Sequence, residues 1–239
     1  MRTRKLNKLK LALAAVLFGI FSVLLYQFGL FVMVLWLNVK NPSSSAFMDA
    51  ARARLHAADP QAQLEFEWVP YDQISTHLKR AVIASEDANF LTHNGVEWDA
   101  IRQAWEYNRR QSSEGKARRR GGSTITQQLA KNMFLSESRS YLRKGQELAL
   151  TYMMELVMSK QRILELYLNV AQWGQYTFGA QSAAQKYYNV NASQLSASQA
   201  ARLAVMLPNP VFYESNRNTQ FLRSRTSTIQ HRMRLVNVP

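Results

Sequence analysis

From Leu11 to Leu37 the chain reads LALAAVLFGIFSVLLYQFGLFVMVLWL, 27 residues without a charge. As a helix such a run extends about 40 Å, against roughly 30 Å for the hydrocarbon core of a bilayer. A cleaved signal peptide is the competing reading, but its apolar core would hold only about 7 to 15 residues. Arg2, Arg4, Lys5, Lys8 and Lys10 crowd ahead of the run, whereas Lys40, Arg52 and Arg54 are spread behind it. The expectation is a basic cytoplasmic tail at 1–10, a transmembrane helix at 11–37 and the remainder outside the cytoplasmic membrane.

Beyond that run the chain is long enough for one core, so one catalytic domain is expected over 63–239, joined by a linker and membrane-proximal stalk at 38–62. The formal net charge of +14 stays strongly positive once the five basic residues of the tail are set aside. Partners should therefore be anionic: a phosphorylated substrate, acidic lipid headgroups or nucleic acid. The chain has no cysteine, which excludes disulfides, thiolate zinc sites and cysteine nucleophiles.

Asn41 to Ser45 forms a turn-rich linker, and 46–58 reads as a short helix. Leu64, Phe66 and Trp68 alternate with polar residues as in a brief strand ending at Pro70. Helix dominates thereafter. Trp98, Ile101 and Trp105 mark the buried stripe of a helix stopping near Arg109, and 111–120 reads as a mobile, solvated loop. Thr124 with Gln127 forms a capping box opening a helix with Ile125, Leu129 and Met133 on one side and Thr124, Gln127, Gln128 and Lys131 on the other. The segment 141–158 is apolar around most of its circumference and should be buried. Another amphipathic helix follows at 163–170. A second capping box, Ser196 with Gln199, opens the last clear helix, and the tail from Asn216 onward should be partly helical at best.

Three features carry chemistry. Glu86 and Asp87 follow the apolar run 81–84, where burial can raise a carboxylate toward the range of a general base; either could equally cap a helix or pair with a surface cation. Gly121-Gly122-Ser123-Thr124 leads into a helix N-terminus, whose free N–H groups and dipole favour a phosphate, with Lys131, Arg139, Arg143 and Lys144 following; the bland alternative is a turn beside a solvated basic surface. Glu147 lies four residues after Arg143 and three after Lys144. That could be a simple helical ion pair, yet in so apolar a helix these charges are costly unless they line a cavity. Two carboxylates and a cationic phosphate site suggest sugar chemistry at an activated anomeric carbon.

Four blocks then carry a resemblance: SEDANFLTHNG at 85–95, RGGSTITQQLAKN at 120–132, RKGQE at 143–147 and SKQRILELYLN at 159–169. In order and spacing they resemble the peptidoglycan glycosyltransferases, most closely the monofunctional biosynthetic kind of Gram-negative bacteria, of the penicillin-binding-protein-type transglycosylase family. The resemblance implies a mainly α, lysozyme-like two-lobed domain preceded by one N-terminal transmembrane helix, single-pass in the inner membrane with the catalytic domain periplasmic. It implies lipid II and lipid-linked glycan as substrates. Glu86 would be the catalytic base toward the 4-hydroxyl of the acceptor sugar, with inversion as undecaprenyl diphosphate leaves. Lys131, Arg139, Arg143 and Lys144 would stabilise the diphosphate, Glu147 would be the second carboxylate, and Ser123, Thr124, Gln127, Gln128 and Asn132 would line the cleft. Cell-division or wall-synthesis proteins are conceivable partners.

Gln146 stands where some relatives carry a cation. The Ser113-to-Lys116 spacing of a transpeptidase nucleophile is read as coincidence, since no Lys-Thr-Gly accompanies it. No metal ligand cluster or required cofactor is read, although magnesium could accompany the donor diphosphate. Two rivals stand beside this reading: a lysozyme-like glycan-cleaving enzyme, which has no diphosphate to stabilise, and a non-catalytic scaffold for wall assembly. Nucleic acid is not expected as a partner; Arg118, Arg119 and Arg120 are better placed by anionic headgroups.

Overall fold

A computed structural model describes residues 2–116, 121–138 and 140–239; Arg118, Arg119, Arg120 and Arg139 lie outside the described residues, and with them the headgroup reading of that arginine run. The chain divides into two compact units, Met1–Lys40 and Asn41–Pro239. The first is the helix α1 (Arg2–Val39), in which Lys10–Val39 is long and apolar enough to cross a membrane, with a mean hydropathy of 2.2.

The second unit is mainly helical. Its helices are α2 (Ala46–Ala58), α3 (Thr76–Glu86), α4 (Trp98–Ser113), α5 (Ile125–Phe134), α6 (Tyr141–Val157), α7 (Lys160–Val170), α8 (Ala180–Tyr188), α9 (Ala197–Met206), α10 (Pro210–Ser215) and α11 (Gln220–Arg232). Two-residue strands β1 (Glu65–Phe66) and β2 (Thr177–Phe178) pair in parallel. So short a ladder needs help. Asn169 extends it with its side-chain amide, accepting from the Val69 N–H and donating to the Val69 carbonyl at 3.0 Å each.

Two helix groups make the core. In one, α3 packs against α9 and α11; in the other, α5 packs against α6, α7 and α2. Both sequence-read capping boxes form, Thr124 with Gln127 on α5 and Ser196 with Gln199 on α9, and they set where those helices begin.

Three expectations from periodicity fail. α4 buries Ala104, whereas Trp98 is 59% and Trp105 62% exposed, and the helix continues past Arg109 to Ser113, into the stretch read as loop. Its small-residue face is the packed one: a Cβ on Gly122 would stand 3.0 Å from the Ile101 Cα and 3.3 Å from the Ala104 Cβ, so a side chain there would have to push α4 back by a few tenths of an ångström. On α6 the buried residues are Glu147, Leu150, Thr151 and Met154, while Tyr141 and Leu142 are 97% and 90% exposed. Apolar spacing says which residues share a face, not whether that face finds a partner. Finally, the tail forms α11, capped by the Thr219 hydroxyl, which accepts from the Leu222 N–H, and seated by Leu222, Thr226 and Ile229. Those three positions were too sparse among charged residues to register as a stripe.

Candidate active site

Glu86 ends α3, where the helix gives way to a turn, and its carboxylate is bonded twice: Gln128 Nε2 donates to Oε2 at 2.9 Å and the Ser85 hydroxyl to Oε1 at 3.2 Å. Burial raises its pKa; the bonds from Gln128 and Ser85 and the charge of Arg225 pull it back down, and Asp87 pushes it up further. Gln128 is in turn oriented by Tyr167 on α7, whose hydroxyl donates to Gln128 Oε1 at 2.9 Å. That bond fixes which end of the amide faces Glu86. Burial first, then the charges of Glu86 and Asp87, hold the Tyr167 hydroxyl well above the usual phenol range, so it stays a donor.

Asp87 is wholly committed to structure. Its Oδ2 accepts from the Ile125 N–H at 2.9 Å, at the first turn of α5, and its Oδ1 faces His93 Nε2 at 2.8 Å. The Gly95 N–H donates to His93 Nδ1 at 3.0 Å, leaving Nε2 to carry the proton toward Asp87. Thr124 donates its hydroxyl to the Gly95 carbonyl at 2.6 Å. The block 85–95 is thereby tied to the start of α5, so that Glu86 and Gln128 keep their mutual register. Asp87, His93 and Glu97 also bring ligand atoms within 4.8 Å of one another. In the structure these groups are engaged in hydrogen bonds, with Asn89 also donating to Glu97 at 2.6 Å.

Gly95 closes this turn at φ +84°, and a Cβ would stand 2.7 Å from Thr151 Cγ2 and 2.8 Å from Glu155 Cγ. Gly95→Ala is expected to lose about 1–2 kcal/mol from backbone strain alone, with more from the clash, read as a fall in the denaturation midpoint of the solubilised protein. A midpoint equal to wild type would contradict the packing described.

The cations converge from α5 and α6. Arg143 Nη1 pairs with Glu147 Oε2 at 3.0 Å, and Lys144 Nζ pairs with Glu147 Oε1. Glu147 is buried, which two cationic partners make tolerable. Lys144 also reaches the Ser123 hydroxyl at 3.5 Å, linking α6 to the turn before α5. Burial lowers the pKa of Lys131; Glu147 raises it, Arg143 and Lys144 lower it further, and Glu86 raises it. Lys131, Arg143, Lys144 and Glu147 therefore form one electrostatic cluster, and through Lys131 it feels the charge of Glu86, the smallest of these effects. Among the described residues the buried Arg143 Nε has no partner, a donor left over beside the cluster.

The remaining sequence-read positions divide. Ser123 is exposed on the turn and Gln128 faces Glu86, whereas Thr124 and Gln127 are buried and bonded to each other in the capping box, and Asn132 is buried on α5. Arg139 lies outside the described residues. Two participants had no role assigned from sequence. Tyr167 sits inside the block 159–169, so its signal was present; Arg225 sits on α11, whose packing against α3 no local pattern announces.

A family model described as transglycosylase matches residues 53–234. The chain is 59% identical over 236 residues, 99% of its own length and 98% of the relative's, to a protein of Bordetella pertussis named biosynthetic peptidoglycan transglycosylase. Proteins of the same name from Herminiimonas arsenicoxydans and Laribacter hongkongensis are 54% identical over 230 residues, 96% of this chain and 98% of the relative, and 50% identical over 216 residues, 90% and 93% respectively.

Proposed function

The chain belongs to the transglycosylase family, and on that premise we propose that it polymerises peptidoglycan, transferring a growing lipid-linked glycan to the 4-hydroxyl of the N-acetylglucosamine of lipid II. Glu86 takes the proton from that hydroxyl. The oxygen attacks the anomeric carbon of the donor from the face opposite the diphosphate, the bond from that carbon to the diphosphate breaks, and undecaprenyl diphosphate leaves with the electron pair. The product linkage is inverted, from α to β-1,4.

The observation that carries this reading is a desolvated carboxylate, Glu86, whose charge is felt by Lys131, the lysine grouped with Arg143, Lys144 and Glu147. A hydrolase acting on an uncharged glycosidic bond has no use for three cations at the leaving group, whereas a departing diphosphate gains several kcal/mol of stabilisation from donors already aimed at it. Glu147 keeps two of those cations, Arg143 and Lys144, in place. Arg139 would complete the set, and a magnesium ion would add charge neutralisation of the diphosphate. The anchor is α1, crossing the inner membrane once with the basic tail inside and the catalytic unit on the periplasmic face, beside its lipid substrate.

Incubating the purified protein with lipid II is the direct test: glycan strands and free undecaprenyl diphosphate are expected, and degradation of mature wall without polymer would overturn the assignment. The rate should be bell-shaped in pH. Glu86 must be ionised, so the acid limb lies above the 4.5 of an ordinary glutamate; Lys131 must be charged, so its loss contributes an alkaline limb below the 10.5 of an ordinary lysine. An acid limb at or below 4.5 would show that Glu86 is not the titrating base.

A further inference from the structure

We propose that α2, the first helix after the apolar N-terminal segment, is a positioning element of the donor site: Phe47 holds the Lys131 ammonium in place, and Arg54 with Glu137 fixes the loop between α5 and α6. The inference rests on the reading that Lys131 serves the donor diphosphate. The stretch reads from sequence as a membrane-proximal stalk, and the structure gives its side chains partners.

The helix is docked rather than hung. Asn41 Oδ1 accepts from Arg162 Nη1 at 2.9 Å, which ties the linker to α7. The buried Ser45 hydroxyl caps α2 by accepting from the Met48 N–H at 3.2 Å, and Met48 and Ala51 are fully buried where α2 packs on α5. Next to Met48, the Phe47 ring lies under Lys131 Nζ, which is 5.4 Å from the ring centroid. Lys131 is crowded by Arg143 and Lys144 from α6, against which Glu147 on α6 and Glu86 on α3 hold it charged. The aromatic face adds a further attraction, and it does so without neutralising the cation, so the full charge remains available to an arriving diphosphate.

At the other end of the same helix Arg54 meets Glu137 through both guanidinium nitrogens, Nη1 to Oε2 and Nη2 to Oε1 at 3.1 Å each, across 83 residues of sequence. Both partners are about half exposed, so the pair adds little to global stability. Two parallel bonds do define an orientation, however, and Glu137 stands two residues before Arg139 in the loop that joins Lys131's helix to the helix of Arg143, Lys144 and Glu147. Fixing that loop fixes the distance between the two sources of positive charge.

The test uses the full chain in vesicles, with initial rates measured on lipid II across pH. Phe47→Leu keeps the apolar volume and removes the π face. It is expected to raise the KM for lipid II about three- to tenfold with kcat within about twofold, and to move the alkaline limb to lower pH. Phe47→Tyr, which keeps the ring, should restore both. Arg54→Glu and Glu137→Arg should each raise KM, and the double exchange should return it to within about twofold of wild type. A wild-type KM and pH profile in Phe47→Leu, or single charge reversals without effect, would overturn the proposal, as would an exchange that fails to recover. Lys131→Met serves as the reference: if that variant keeps wild-type activity, the diphosphate reading itself falls, independently of α2.

Discussion

Glu86→Gln is expected to lose about two to four orders of magnitude in the rate of lipid II polymerisation while the protein stays folded, inserted and no less stable than wild type. The amide keeps the shape of the carboxylate and can still accept from Gln128 Nε2, so the surrounding bonds persist. What it cannot do is accept a proton. The stability half follows from the raised pKa. A carboxyl whose folded pKa lies above its unfolded value supports the fold fully below the unfolded value, and that contribution is lost as pH rises through the folded pKa. At neutral pH the ionised Glu86 therefore opposes folding, and removing its charge should raise the thermal midpoint. Measuring turnover and melting on the same preparation separates the outcomes: an active variant removes Glu86 from the reaction, and an inactive but destabilised one removes the electrostatic account of its pKa.

Lys131→Met should cost about 10²–10³-fold in kcat/KM, the usual magnitude for deleting one preorganised group that faces the leaving charge. Methionine retains much of the apolar stem and withdraws only the ammonium, so a thermal midpoint near wild type is expected alongside the lost rate. The lowered lysine pKa adds a sign. Its folded value lies below the unfolded one, so the charged form is disfavoured in the native cluster, and neutral replacement should not destabilise at pH 7. Binding of a diphosphate-bearing donor analogue by calorimetry checks the cause. Unchanged affinity together with unchanged kcat/KM would place the leaving group elsewhere.

The helix caps, the apolar segment and the four motif blocks were legible because each depends on residues close together in the chain. Thr124 and Gln127 meet across a single helical turn whatever else the protein does, and their capping box forms as read. The blocks that carry the site were visible for the same reason, each being a short run whose residue types suit one task. Faces were less legible. Trp98 and Trp105 share a stripe by spacing, but Gly122 and the small residues of α4 offered a closer approach, and the tryptophans were left outside. The spacing was right about the stripe and silent about which side a neighbour would take.

The sequence by itself determined the apolar helix, the caps, the family and which side chains stand at the ends of which elements, since these follow from local bonding and residue chemistry. Tertiary structure alone decided that Tyr167 orients Gln128 toward Glu86, that Arg225 reaches it from a helix at the end of the chain, and that α2 comes against Lys131 and Glu137. The reason is physical. A carboxylate acquires its proton affinity from burial and from charges brought near it by folding, and neither burial nor proximity between residues tens of positions apart is a property of any one segment.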